Sequence, residues 1–320
     1  MPSWQSRLLQ LGIRLLIKRR VQGNEAELAA FARKKLADPR FAERMTPKDV
    51  CLEQVQENSI KGEWVWWKEE PAKYTIFYLH GGGYVACSPE NYRPFTAELA
   101  RQSGARIFAL DYRLAPEHRF PAPVDDAVKA YRWLLAKGER PDNLVIGGDS
   151  AGGGLTIATL TALRDAGDPL PAAAFCFSPW TDLAGTGNSM MTNDRRDPMF
   201  YGASLPLFAK LYLADASSTD PLASPLYADL SQLPPLQIYV SDTEVLLADA
   251  TRLAARAKEY GLNVELLIHH GQPHVWPIFV GLLPESTQTI SQVVSFLSRQ
   301  VNLRVNALPD KRPVVVTEVV

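Results

Sequence analysis

The stretch that decides the fold is Leu144-Val-Ile-Gly-Gly-Asp-Ser-Ala-Gly-Gly-Gly154. Leu144 to Ile146 is an apolar run of strand length, and Leu155 to Arg164 is a block of helix formers. Between them stands Gly148-Asp149-Ser150-Ala151-Gly152, a Gly-x-Ser-x-Gly pentapeptide on a strand-to-helix turn. Such a turn lifts the serine hydroxyl clear of the sheet. Gly148 and Gly152 flank it because a side chain at either place would collide with the neighbouring strand or helix. An anion formed at Ser150 would face the positive end of the following helix. The pentapeptide alone is common. Its strand-before, helix-after context makes Ser150 a candidate nucleophile and sends the search outward for an oxyanion hole, a base and an acid.

Upstream, the apolar strand Tyr74–Leu79 runs into His80-Gly-Gly-Gly83. Three consecutive glycines leave backbone amides unshielded, so they can approach a substrate oxygen closely. The amides of Gly82, Gly83 and Ala151 are the candidate oxyanion donors. A dinucleotide loop would need a Gly-x-Gly-x-x-Gly run opening a helix, and Tyr84-Val-Ala-Cys-Ser88 follows instead. His80 is read as a clamp on this loop. Downstream, the strand Val264–Ile268 ends in His269-His270-Gly-Gln-Pro-His274. His274, beyond the turn, is the candidate general base, and His269 and His270 are structural. For the acid that holds the imidazole, Leu236–Asp249 offers Asp242, Glu244 and Asp249. Proximity to the strand end favours Asp242, with Asp249 read as solvated or as an internal cap partner.

Around these motifs, strands and helices alternate. Strands are expected at Val50–Val55, Gly62–Lys68, Tyr74–Leu79, Arg106–Leu110, Asn143–Gly147, Ala173–Ser178, Leu236–Ser241 and Val264–His269. Helices are expected at Tyr92–Gln102, Pro123–Lys137, Ala151–Asp165, Leu246–Tyr260 and Glu285–Gln300. Repeated βα units imply a parallel sheet covered on both faces. The first two strands form a hairpin with a turn at Asn58–Gly62, which makes the sheet mixed. The alternation breaks between Trp180 and Pro235, where Phe200–Leu213 reads as a helix in a lid-like insertion. Its Phe200, Tyr201, Phe208 and Tyr212 either wall a compact pocket or pack the lid onto the core.

At the N-terminus, Trp4, Leu8, Leu11 and Leu15 recur at helical spacing among Arg7, Arg14 and Lys18, followed by a second helix over Glu25–Ala37. The first helix could lie on a membrane surface. The expectation is that its apolar face packs on the chain's own core. The tail from Val301 carries a β-prone Arg312–Val320 run of undecided role.

Composition sets the outer bounds. A chain of 320 residues with 46% hydrophobic and 22% charged residues is ordinary for a globular protein with a large core. A net charge of −1 offers no general attraction to nucleic acid. Cys51, Cys87 and Cys176 form neither a paired spacing nor a metal pattern, which suits a reducing, cytoplasmic setting. Neither a transmembrane span nor a secretory signal is expected.

Taken together, His80-Gly-Gly-Gly83, Asp111-Tyr-Arg-Leu-Ala-Pro-Glu-His118, Phe120–Ala127, Gly148-Asp-Ser-Ala-Gly-Gly153 and His274 resemble, in order, the motifs of the hormone-sensitive-lipase-like (bacterial family IV) esterases of the α/β-hydrolase superfamily. The resemblance spans about Gly62 to Gln300. It implies an α/β-hydrolase fold with an eight-stranded, mostly parallel sheet. It also implies a helical cap from residues 1–45 and 182–217, a core from 46–181 and 218–302, and a tail over 303–320. It carries the nucleophile to Ser150, the base to His274 and oxyanion donation to Gly82, Gly83 and Ala151. The family's acid stands in Asp-Pro-Leu-x-Asp. Here Glu244-Val-Leu-Leu-Ala-Asp249 takes that place, so the resemblance moves the acid from Asp242 to Glu244. Asp149 and Glu117 are expected to hold loops.

The implied activity is hydrolysis of short-chain carboxylic esters, a small-molecule substrate class, with no cofactor, no metal and no nucleic acid partner. A homodimer through the last strand is a family habit. Glu-Val-Leu-Leu also resembles monoterpene-lactone hydrolases, which makes a lactonase the alternative. A non-catalytic small-ligand receptor, as among the plant gibberellin receptors, is disfavoured because those lack the base that His274 supplies.

Overall fold

A computed structural model describes residues 1–18, 25–37, 39–68 and 72–307, the side chains of 302–307 aside. Its elements run α1 (Trp4–Leu16), α2 (Glu25–Leu36), α3 (Pro39–Met45), β1 (Val50–Glu57), β2 (Ile60–Trp67), β3 (Thr75–Leu79), α4 (Pro89–Ser103) and β4 (Arg106–Leu110). They continue with α5 (Ala122–Ala136), β5 (Leu144–Asp149), α6 (Ala151–Asp165), β6 (Ala173–Phe177), α7 (Ser189–Thr192), α8 (Leu205–Leu213), β7 (Leu236–Ser241), α9 (Leu247–Glu259), β8 (Val264–His269) and α10 (Pro284–Ala307). The eight strands form one sheet in the order β1-β2-β4-β3-β5-β6-β7-β8. β2 is antiparallel to both its neighbours, and every pairing from β4 to β8 is parallel.

Successive side chains of a strand point to opposite faces, and the two halves of the core divide accordingly. Phe77, Leu79, Phe108, Leu110, Ile146 and Ile238 face α5, α6 and α9. Ile76, Tyr78, Ile107, Val145, Phe175 and Tyr239 face α4 and α10. Both faces are therefore buried. This explains why these strands read as continuous apolar runs rather than as polar–apolar alternations.

The structure departs from the sequence reading in four places. First, the β1–β2 turn is a tight one. Asn58 and Ser59 both have positive φ, 49° and 66°, the conformation of a two-residue hairpin turn that asparagine tolerates well, and Lys61 already pairs with Gln56. Second, Phe200 and Tyr201 precede α8. The Asp197 carboxylate accepts from the amides of Met199 and Phe200, and Asp194 accepts from that of Gly202. A loop is pinned there before the helix can start. Third, α10 continues past Gln300 to Ala307, and the Arg312–Val320 run lies outside the described residues.

Fourth, α1 is turned the other way round. It docks by a mixed side: Ser6 donates to Gln272, Gln10 donates to the carbonyl of Gly271, and Leu9, Ile13 and Ile17 pack on the core. Trp4, Leu8, Leu11 and Leu15 remain 71%, 62%, 54% and 46% exposed. The turn before His274 offers hydrogen-bonding groups that need partners, and Ser6 and Gln10 supply them.

Candidate active site

Ser150 occupies the turn between β5 and α6 with φ 52° and ψ −121°, outside the regions a non-glycine residue favours. The turn is held by neighbours on every side. The Ser150 amide donates to the Phe177 carbonyl, and its own carbonyl accepts from Trp180 and Gly154. A β-carbon on Gly152 would stand 2.1 Å from the Leu79 carbonyl oxygen, and one on Gly148 would stand 2.4 Å from that of Gly152. The close approach of β3, β5 and α6 thus requires both glycines.

The imidazole of His274 faces the serine, with Nε2 2.9 Å from Ser150 Oγ. Its Nδ1 lies 2.5 Å from Glu244 Oε2. His274 reaches this position from the loop after β8, next to Val275, whose φ of 51° sharpens the bend. Glu244 is fully buried and its other oxygen is fixed, accepting from the Ser178 hydroxyl at 2.8 Å and the Ser241 amide at 2.7 Å. Asn193 donates to the Glu244 carbonyl and Asp197 accepts from the Val245 amide, so the insertion also braces the acid loop.

Burial disfavours the charged imidazolium. The Glu244 hydrogen bond and charge, with Asp197 and Asp149 behind them, outweigh it and raise His274 above its ordinary value. Burial likewise pushes Glu244 upward, against the pull of His274. Phe200 stands edge-on to the imidazole at 5.1 Å and closes that side of it.

Asp242 does not meet His274. It accepts from Gly271, His270 and Arg196, and so secures the turn that precedes the histidine. His270 is exposed, and His269 packs on Trp276. Asp249 is buried rather than solvated. One of its oxygens accepts from the amides of both Thr181 and Asp182, and burial raises its carboxyl to about 7. Glu117 pairs with Arg33 of α2 on the surface.

The glycine loop lies beneath the serine. Gly82 has φ 107°, and a β-carbon there would stand 2.2 Å from the Ala86 carbonyl. The Gly81 amide is taken by Asp149 and Tyr92. The amides of Gly82 and Gly83 donate to nothing among the described residues. Ala151 opens α6, so its N–H is one of the donors every helix start leaves unpaired. Asp149 also accepts from Tyr78, and burial lifts it to about 6. His80 is buried against Tyr112 at 4.3 Å, and burial lowers it to about 4, as suits a neutral clamp under the loop.

Gly82, Gly83, Ser150 and His274 open onto one cavity of about 470 Å³ with a mainly apolar lining. Phe200 and Phe208 line it; Tyr212 instead stacks on Tyr84 at 3.8 Å, and Tyr201 lies under the Lys18 ammonium. The sequence reading missed Ser178, Asn193 and Asp197, which brace Glu244 and its loop, and Ile13, Ile17 and Phe41, which line the cavity from the N-terminal helices. Phe41 lies four residues beyond the expected second helix, within the span the resemblance assigns to the cap. The braces carried no sequence signal.

A family profile described as alpha/beta hydrolase fold matches residues 76–278. An acetyl-hydrolase of Streptomyces hygroscopicus is 45% identical over 238 residues, 73% of this chain and 78% of that one. The crystal structure of an esterase from the bacterial hormone-sensitive lipase family superposes with a TM-score of 0.86 at 40% identity, covering 94% of this chain and 99% of that one. The esterase EstE5, in a crystal soaked with p-nitrophenyl butyrate, superposes with a TM-score of 0.86 at 39% identity, with the same coverage of 94% and 99%. With the strand order, the Ser150 turn and these relationships in agreement, the chain belongs to the α/β-hydrolase family, in its bacterial hormone-sensitive-lipase branch of esterases.

Proposed function

We propose that this carboxylesterase cleaves short-chain esters through Ser150, His274 and Glu244. The observation that carries the reading is the continuous line of contacts from Glu244 through His274 to Ser150, ending beside the free amides of the glycine loop. Ser150 Oγ bonds to the ester carbonyl carbon while its proton passes to His274 Nε2. The carbonyl oxygen, now anionic, accepts from the amides of Gly82, Gly83 and Ala151. Collapse expels the alcohol, which takes the proton from Nε2 and leaves Ser150 acylated. Water then attacks the acyl carbon, giving a proton to Nε2. A second collapse releases the acid and returns the proton to Ser150. Glu244 keeps the imidazole in the tautomer that accepts at Nε2, and it stabilises the imidazolium in between.

The described residues of 1–45 and of 182–217 form the cap. Ile13, Ile17 and Phe41 from the first segment and Phe200 and Phe208 from the second enclose the cavity over the serine. Its modest volume, together with the acetyl-hydrolase and butyrate-soaked relatives, supports a short acyl group. The three unpaired cysteines support the cytoplasm as its location, and no helix among the described residues is long and apolar enough to cross a membrane. A homodimer would use the outer edge of β8, which among the described residues pairs only with β7.

The test is hydrolysis of a p-nitrophenyl ester series from acetate to dodecanoate, with a monocyclic lactone alongside. Activity peaks between acetate and butyrate, exceeds that on the lactone, and is lost in Ser150→Ala. Retention of most turnover by Ser150→Ala refutes the mechanism, and a strong lactone preference reassigns the substrate.

A further inference from the structure

The outward face of α1 has no role in the site described above. Trp4, Leu8, Leu11 and Leu15, spaced four, three and four residues apart, form one stripe along the helix. All four are exposed, and Leu16 adds 69% exposure at the end. A contiguous apolar stripe facing water marks a docking surface. The helix cannot turn the stripe inward, because its opposite side is fixed to Gly271 and Gln272 through Ser6 and Gln10. Arg7 and Arg14 border the stripe, both exposed, and α1 contains no acidic residue. Glu285, beside the helix start, is taken up by hydrogen bonds from Ser3 and Gln272.

The same helix walls the catalytic cavity from within. Ile13 and Ile17 line it, as does the half-exposed Phe41 at its rim. One helix therefore connects an outward apolar–basic surface to the mouth of the ester site.

We infer that α1 docks on an anionic lipid surface, with Trp4, Leu8, Leu11 and Leu15 set among the acyl chains and Arg7 and Arg14 at the headgroups, and that esters dissolved in that surface enter past Phe41. A helix with an apolar stripe, a basic border and a tryptophan lies in the plane of a membrane interface. No helix among the described residues is long and apolar enough to span a bilayer, so the attachment is peripheral. A second copy is the weaker occupant. Pairing two α1 helices along their stripes would set Arg7 and Arg14 of both copies along the rim of one contact, like charges facing one another with no acid on the helix to neutralise them. The route for lipid-borne esters rests on the carboxylesterase reading, whereas the docking itself is measured without turnover, so the two can fail separately.

The full chain is mixed with vesicles of phosphatidylcholine alone, or of equal phosphatidylcholine and phosphatidylglycerol, and co-flotation is measured. Partition to the mixed vesicles is expected to be roughly tenfold the higher. It should fall to background in Leu8→Gln/Leu11→Gln and lose its preference for the anionic lipid in Arg7→Gln. Both variants should retain wild-type kcat/KM on a dissolved aryl ester, since none of these residues lines the cavity. Absence of flotation overturns the inference, as does flotation unchanged by the double variant. So does a dimer in solution that the double variant dissolves, which would assign the face to a second copy.

Discussion

Replacing Glu244 by Gln should cost far more activity than the loss of one charge implies, because the surrounding donors dictate which way the amide points. Glu244 Oε1 accepts from the Ser178 hydroxyl and the Ser241 amide. In Glu244→Gln only the carbonyl oxygen can satisfy both, so the amide nitrogen is forced into the place of Oε2, facing His274 Nδ1 at the 2.5 Å contact. The amide donates there, Nδ1 must accept, and the imidazole proton moves to Nε2. Nε2 then presents a hydrogen to Ser150 Oγ and can no longer take the serine's proton. The wrong tautomer and the lost imidazolium partner together lower kcat by about 10³–10⁴-fold, roughly 4–5.5 kcal/mol of transition-state stabilisation. KM should change little, since Glu244 is buried and does not line the cavity. Asp242→Asn, which touches only the turn, should cost less than about tenfold. The assay is steady-state hydrolysis of p-nitrophenyl acetate by both variants, with circular dichroism confirming that each is folded. The reasoning fails if Glu244→Gln stays within tenfold of the wild type, or if Asp242→Asn is the more damaging.

Three further outcomes follow from the geometry. In the proposed mechanism the base works only when neutral, and its partners raise His274 above its ordinary 6.5. The acid limb of the kcat/KM–pH profile should therefore lie above pH 6.5 and move to lower pH in Glu244→Gln, and an unmoved limb would detach it from this pair. Gly82→Ala would set a β-carbon 2.2 Å from the Ala86 carbonyl at a φ that only glycine adopts comfortably. The displaced donor should lower kcat by about 10²-fold or more, with wild-type kcat disproving the placement of the oxyanion hole. Asp249 is raised from 3.8 to about 7 in the fold. Between those values the unfolded chain binds fewer protons than the native one, so this group's contribution to stability falls as pH rises through that window. Asp249→Asn keeps an oxygen for Thr181 and Asp182 without the charge. Its Tm relative to wild type should thus improve from pH 5 to pH 8, and a gap independent of pH would contradict the assignment.

Much of this was legible in the chain because it depends on local chemistry. Apolar runs of strand length alternating with amphipathic stretches specify a doubly covered sheet. A serine between two glycines, and three glycines after a strand, answer steric demands that act within a few residues. His274 was readable from its place after the last strand. The choice between Glu244 and Asp242 was of another kind: both follow β7, both are carboxylates, proximity in sequence favoured Asp242, and only the resemblance to the family's Asp-Pro-Leu-x-Asp pattern pointed to Glu244. Distance in space separated them. The chain bends at Ser241 so that Glu244 turns inward to Ser178, Ser241 and His274, while Asp242 turns to Gly271 and Arg196. The orientation of α1 likewise needed the tertiary structure. Periodicity identifies an apolar stripe but not the partner surface, and here Leu9, Ile13 and Ile17 pack inward beside the hydrogen bonds of Ser6 and Gln10 while the stripe of Trp4, Leu8, Leu11 and Leu15 faces out. The sequence by itself indicated the sheet, the strand–Ser150–helix turn, the unshielded glycine loop and the place of His274 after the last strand. Only the tertiary structure decided which groups brace Glu244, which aromatic residues reach the cavity, and which face of the first helix meets water, because each depends on contacts between segments far apart in the chain.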